Sequence, residues 1–304
     1  MGQVKASREK RLIWAMIVTL IILFAEGIGG LIANSLALLS DAGHMLTDVF
    51  ALALSLVAVY IGKRPSDYRA TYGYQRIGIL AALINGSTLV VISVLIFIET
   101  YRRIFSPPEI DSNVMLLVAV GGLVGNIVMA RLLGEGHGDL NIKSAWLHVL
   151  GDLFATAGVI VAGIVIKVTA WPLADPIASA IVGVIIILGG GRVIKESLWI
   201  FLELSPLGFN AEDISKTICG MEHVLGVHDV HIWSIGHGVP AFSAHVLLND
   251  RKISETDAIR KEIEEKLSGF GIKHTVLQME CAECQANDLY CQIGAPDETD
   301  HHHH

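Results

Sequence analysis

Two pairs of residues in this chain are spaced for joint chemistry. His44 and Asp48 stand four apart in DAGHMLTD, and His148 and Asp152 stand four apart in SAWLHVLGDLFATAG. On a helix, positions i and i+4 share one face, so each histidine projects beside its aspartate. Both stretches are otherwise apolar enough for lipid, where an ionised carboxylate costs several kcal/mol unless it is paired. Two imidazole nitrogens and two carboxylate oxygens make a closed tetrahedral set, the geometry zinc takes. Imidazole with carboxylate also suits cobalt, nickel or cadmium, and suits magnesium or calcium poorly. A histidine in each pair favours zinc over the larger, softer cadmium. Such a metal needs neutral His and ionised Asp, so binding expels protons and protonation expels metal. That is an antiporter's requirement. A lone pair of this kind would read as a helix-packing hydrogen bond, and its repetition in a second span weighs against that.

The elements that must position these residues are membrane helices. Mean hydropathy over the 304 residues is +0.56 and only 17% of them are charged, which puts an integral membrane protein ahead of a soluble domain. A helix needs about 20 apolar residues to cross the hydrocarbon core. Six segments meet that length, at 12–34, 40–61, 77–101, 114–133, 144–166 and 176–201. With both termini cytoplasmic, that side collects Lys5, Arg8, Lys10, Arg11, Lys63, Arg64, Arg69, Arg76, Arg131, Lys143, Arg192 and Lys195, against Arg102, Arg103 and Lys167 opposite. The balance, roughly four to one, favours this orientation. The net charge of -8 is concentrated after Leu202, which excludes nucleic acid as an expected partner. The N-terminal KASREKR leads into an apolar run too long for a signal-peptide core. Asp41, at the mouth of the second span, reads as a cap or a metal approach point, the cap being favoured. Asn85, Asn126 and Thr47 read as interhelical hydrogen-bonding groups, and Gly78, Ala82 and Gly86 as a small-residue packing ridge.

From Ser205 onward the texture is that of a soluble α+β domain. Asn210 caps a short helix running to about Met221, followed by strands at 227–235 and 241–248 with a turn between them. Ser254 with Asp257 suggests a capping-box start for a second helix, whose buried face is Ile259, Ile263 and Leu267. Gly269 and Gly271 stop it, and a third strand follows at 274–280. The expected fold is therefore six transmembrane helices (1–204) plus an α-β-β-α-β cytoplasmic domain (205–293). The tail at 294–304 is expected to be disordered, and His301–His304 carry no functional weight. Cys219 reads as buried packing. The four cysteines do not form a secreted disulfide framework.

With these elements placed, the chain resembles the cation diffusion facilitator family, its zinc-type bacterial members in particular. The resemblance rests on SLALLSDAGHMLTD (35–48), YGYQRIGILAALIN (72–85), AWLHVLGD (145–152), ADPIASAIV (174–182) and VHDVHIW (227–233), and covers nearly the whole chain. It implies homodimeric metal/proton antiporters of the inner membrane, with six spans and a metallochaperone-like cytoplasmic domain. It carries the transport site onto His44, Asp48, His148 and Asp152. In the cytoplasmic domain it points to His231, His245 and His274 as metal ligands, with Glu280 as a fourth. Zinc is the expected substrate and cytoplasmic regulatory ligand, with cadmium or cobalt as alternatives. The C-x-x-C of Cys281 and Cys284 abuts the third strand; it could be redox-active, metal-binding or inert, with zinc ligation the better reading. Rising cytosolic zinc would then tighten the domain pair and favour transport.

The chain also departs from the family pattern. The loop between the fourth and fifth spans offers only His137. The loop between the second and third has Asp67 but no histidine, which argues against a metal site there. Arg76 and Glu203 fall where the family places a charge interlock. Two other readings compete with transport of zinc by proton exchange: a membrane metal sensor or scaffold, and an exporter of organic cations. No open metal position, phosphate loop or nucleophile–base pair supports an enzyme.

Overall fold

The computed structural model describes residues 2–133, 140–281 and 289, with side chains described except at 2–15, 132–133 and 140–148. His137, Cys284 and the tail at 294–304 lie outside the described residues. Six long helices come first: α1 (Gly2–Ala33), α2 (Leu36–Gly62), α3 (Ile77–Phe105), α4 (Ser112–Leu133), α5 (Leu140–Thr169) and α6 (Ala174–Phe201). Each has a stretch long and apolar enough to cross a membrane. They are followed by α7 (Ala211–Cys219), β1 (Val224–Gly236), β2 (Val239–Leu248), α8 (Ile253–Gly269) and β3 (His274–Glu280). All six spans and the α-β-β-α-β order match the reading from sequence.

The chain falls into two compact units: residues 1–57 with 81–194, and residues 58–80 with 195–304. In the first, α1 packs on α4 and α4 on α5. Ala33, Leu38, Met115, Val159 and Ile166 form one buried cluster, and Ile22, Met45, Met129 and Val149 a second. Large apolar side chains such as Leu31, Leu117 and Phe154 point outward, as lipid-facing positions do. Gly86 of the expected small-residue ridge does bring backbones together, because a Cβ there would lie 3.0 Å from the Gly190 carbonyl of α6. A Cβ at Gly78 meets nothing within 4 Å, so the ridge does not extend there.

The α1–α2 turn is tied down by charge. The Asp175 carboxylate accepts hydrogen bonds from the Ser35 hydroxyl (2.5 Å) and from the backbone N–H groups of Leu36 (2.8 Å) and Ala37 (3.1 Å). Arg103 lies 3.8 Å from Asp175 and donates to the Asn34 carbonyl (2.6 Å). The start of α2 is thus capped by Ser35 and a residue of α6. Asp41 is not a cap: it lies inside α2 and is 2% exposed. Thr47 likewise bonds within its own helix, to the His44 carbonyl.

In the second unit β2 is central, antiparallel to β1 and parallel to β3. Val230, Ile232, Phe242, Ala244 and Val246 pack with Ile214, Ile218, Ile259, Ile263 and Leu267 of the two helices. Asn210 caps α7 as expected, accepting from the Glu212 N–H at 2.9 Å. The capping box at Ser254 does not form: α8 begins at Ile253 with Lys252 in the cap position, two residues earlier than expected, and Asp257 is bound by Arg260 and Lys261 instead. Cys219 is exposed rather than buried, because α7 ends there and its core face is Ile214 and Ile218. Arg76 and Glu203 do pair, at 2.6 Å.

Asp67 organises the loop after α2. Its Oδ1 accepts from the N–H groups of Arg69 and Ala70, both at 2.8 Å, and its Oδ2 accepts from the Tyr74 hydroxyl at 2.8 Å. These donors, the Ala70 N–H foremost, hold its carboxyl below the usual range.

Candidate metal sites and family

The cap at Leu36 sets the depth of the intramembrane pair. At 1.5 Å per residue, His44 lies roughly 12 Å and Asp48 roughly 18 Å along the 27-residue α2 from that end, which puts Asp48 near the middle of the helix. Asp152 sits on α5, twelve residues from its start. His44 Nε2 is 3.8 Å from Asp48 Oδ2 and 3.9 Å from Asp152 Oδ1. Ligands about 2.0–2.1 Å from a tetrahedral zinc stand about 3.3–3.5 Å apart, so this set is wider than a closed shell by a few tenths of an ångström. Asp152 is buried, His44 and Asp48 are about a quarter exposed, and a cavity of about 270 Å³ opens on His44 and Asp152. The backbone of His148 lies on α5 one turn before Asp152; its side chain is outside the described residues.

Behind this face lies a second polar layer, of which sequence reading singled out Asp41 and Asn126 but neither Thr156 nor Glu26. Thr156 Oγ1 is 3.0 Å from Asp41 Oδ2 and 2.9 Å from the Asp152 carbonyl, and it accepts from Asn126 Nδ2 at 3.3 Å. Asn126 thus makes the interhelical bond expected of it, whereas the buried Asn85 Oδ1 makes none among the described residues. Glu26 of α1 is 0% exposed. Its signal was present in the sequence, as the one acidic residue within the first apolar span.

The cytoplasmic unit gathers His228, His245 and Glu280, whose ligand atoms lie within 4.8 Å of one another. His228 and His245 are direct cross-strand partners, their rings edge to face at 5.2 Å. Glu280 brings Oε1 to 2.9 Å from His245 Nδ1 and Oε2 to 3.3 Å from His228 Nε2. His228 Nε2 and Glu280 Oε2 are buried without a hydrogen-bond partner among the described residues, as a ligand pair fitted to a metal would be.

This grouping differs from the expected one in two ways. Strict strand alternation puts His228 and His231 on opposite faces, but β1 carries a bulge between them, and Asp229 takes φ +50°. The extra residue reverses the alternation, so both histidines share the face of His245. His228 joins Glu280, while His231 turns to Asp229 (2.9 Å), which also lies 3.4 Å from His245. His274 has the right face but the wrong end of β3. Six residues separate it from Glu280, roughly 20 Å of strand, and its ring meets Tyr72 instead. Cys281 follows β3 directly and is exposed.

Six apolar helices joined to a small α+β domain, with metal-type donors gathered in each, define an integral membrane protein of the metal-handling class. The chain belongs to the cation efflux, or cation diffusion facilitator, family. Residues 12–202 match the family's transmembrane domain and residues 206–282 its cytoplasmic domain. It is 39% identical, over 99% of its length and 98% of the relative's, to a cadmium, cobalt and zinc/H(+)-K(+) antiporter of Bacillus subtilis. It is 38% identical to the zinc transporter ZitB of Yersinia pestis, over 98% of this chain and 96% of that one. It is also 38% identical to the metal cation efflux system protein CzcD of Cupriavidus metallidurans, over 92% and 89%. The family is one of metal-ion transporters, not enzymes.

Proposed function

We propose that this protein exports divalent metal, zinc foremost, from the cytoplasm in exchange for protons. The substrate would be held by His44, Asp48, His148 and Asp152. The observation that carries the reading is the convergence of His44 on both Asp48 and Asp152, from two helices, in mid-span. The relatives' names, with their zinc, cadmium, cobalt and H(+)-K(+) exchange, support it. Cargo release follows from the donor chemistry: protons entering from the far side compete for the same nitrogens and oxygens that bind metal. A cytoplasmic zinc on His228, His245 and Glu280 would neutralise the acidic residues around it and regulate a homodimer. His231, Cys281 and Cys284 would be auxiliary donors at its edge. The orientation proposed is both termini cytoplasmic in a bacterial inner membrane, with residues 1–204 transporting and 205–293 regulating.

Metal uptake into proteoliposomes under an imposed pH gradient tests this, with zinc, cadmium, cobalt and manganese in parallel. Zinc flux that follows the gradient and vanishes in Asp152→Ala supports the reading. Zinc binding without flux would leave a sensor.

A further inference from the structure

Glu26 lies within the membrane unit, wholly buried, and neither of its carboxylate oxygens has a hydrogen-bond partner among the described residues. On α4, a Cβ at Gly122 would overlap this carboxylate, so only glycine lets Glu26 lie where it does. One turn further along α4 is Asn126, 1% exposed, whose Oδ1 also has no partner among the described residues. Among the described residues, the charged groups that act on Glu26 are Asp41 of α2 and Asp152 of α5, both acidic. Every unsatisfied atom here is an oxygen acceptor. Among the described residues no salt bridge reaches Glu26 or Asp41, and one carboxylate buried beside another calls for a proton or a cation. The donors are oxygens throughout, with none of the imidazole that suits zinc, so the set is matched to a hard cation or a proton.

We propose that Glu26, with Asp41 and Asn126, holds the monovalent counter-cation, proton or potassium, that moves opposite to the metal. This rests on the antiporter reading above. The link between the two layers is Thr156, whose single hydroxyl proton is shared between Asp41 and the carbonyl of Asp152. A cation arriving at Glu26 and Asp41 withdraws negative charge from the layer behind Asp152 and weakens its hold on metal. Metal at Asp152 repels the counter-cation in turn, and exchange is the outcome of that mutual exclusion.

The test uses the full chain in proteoliposomes, with zinc flux driven separately by a pH gradient and by a potassium gradient. Equilibrium zinc binding is measured in parallel by calorimetry. Glu26→Gln, neutral like the cation-loaded site, is expected to bind zinc measurably but more weakly than the wild type, and to lose gradient-driven flux. Wild-type flux responding to the pH gradient alone assigns the proton, and to the potassium gradient alone assigns potassium. Unaltered gradient-driven flux in Glu26→Gln overturns the proposal, and so does loss of zinc binding together with flux, which would make Glu26 part of the metal site. Should the Gln variant not fold, Asn126→Leu decides: weakened gradient dependence upholds the site, and unchanged dependence overturns it. Wild-type zinc flux indifferent to both gradients would remove the antiporter reading itself, a separate failure.

Discussion

Ser35 donates its hydroxyl to Asp175 at 2.5 Å, joining residues 140 positions apart. The same carboxylate takes the N–H groups of Leu36 and Ala37, so α2 is capped at its first turn by a residue of α6. Helix α2 carries His44 and Asp48, and this cap fixes their depth. The turn itself requires Asn34 at φ +52°, which asparagine tolerates better than most residues.

Asp175→Ala strips this end of its acceptors and leaves buried N–H groups unsatisfied, each costing about 1–3 kcal/mol. We expect a lower melting temperature in detergent for Asp175→Ala and a smaller drop for Asp175→Asn, which keeps one acceptor. Thermal unfolding of both variants checks the order. Equal stability of Asp175→Ala and the wild type would show that the cap contributes nothing.

At the intramembrane face, His44→Ala removes the nitrogen that approaches both carboxylates. Loss of an outer-shell partner alone typically costs about 10–100-fold in metal affinity, and a direct ligand should cost at least as much. We expect zinc flux to vanish and the calorimetric affinity of the membrane site to fall by at least about tenfold. Wild-type zinc affinity in this variant would mean that the metal binds elsewhere.

Much of this was legible in sequence, for a specific reason. Spans are set by apolar length, and the His/Asp pairs by the period of a helix, so both are local properties of the chain. Three features were not local. Glu26 looks like an isolated charge until α2, α4 and α5 close around it. Asp41 reads as a cap because the true cap, Asp175, is more than a hundred residues away. His228 is concealed by the bulge at Asp229, since period-two alternation puts it on the opposite face from His231. His274, which the family resemblance suggested, stands at the start of β3 beside Tyr72, with the length of the strand between it and Glu280.

Asp67 gives a pH dependence whose sign can be worked out. Hydrogen bonds from Ala70, Tyr74 and Arg69 lower its folded pKa below its unfolded value of about 3.9. A depressed carboxylate stabilises the fold above the unfolded pKa, and that contribution is lost as pH falls through the folded one. Hydrogen exchange in residues 63–76 should therefore show steady protection from neutral pH down to about 4 and a loss below it. Asp67→Asn should show weaker protection with little pH response over that range. A wild-type loop that opens near neutral pH would contradict the assignment.

The cytoplasmic donors separate cleanly by substitution. His228 and His245 meet Glu280 within ligand distance, while His274 lies roughly 20 Å along β3 from it. On a full-length background carrying Asp152→Ala, so that the membrane site is silent, zinc titration should report the cytoplasmic site alone. His228→Ala and His245→Ala are each expected to weaken that binding strongly, and His274→Ala to leave it unchanged. Asp229→Gly preserves the φ +50° backbone but removes the carboxylate held near both His231 and His245. It should weaken binding less than loss of either ligand, because it acts by orienting His245 rather than by contacting the ion. The reverse pattern, with His274→Ala abolishing binding and His228→Ala silent, would mean that the sheet face assembles a different ligand set once metal is bound.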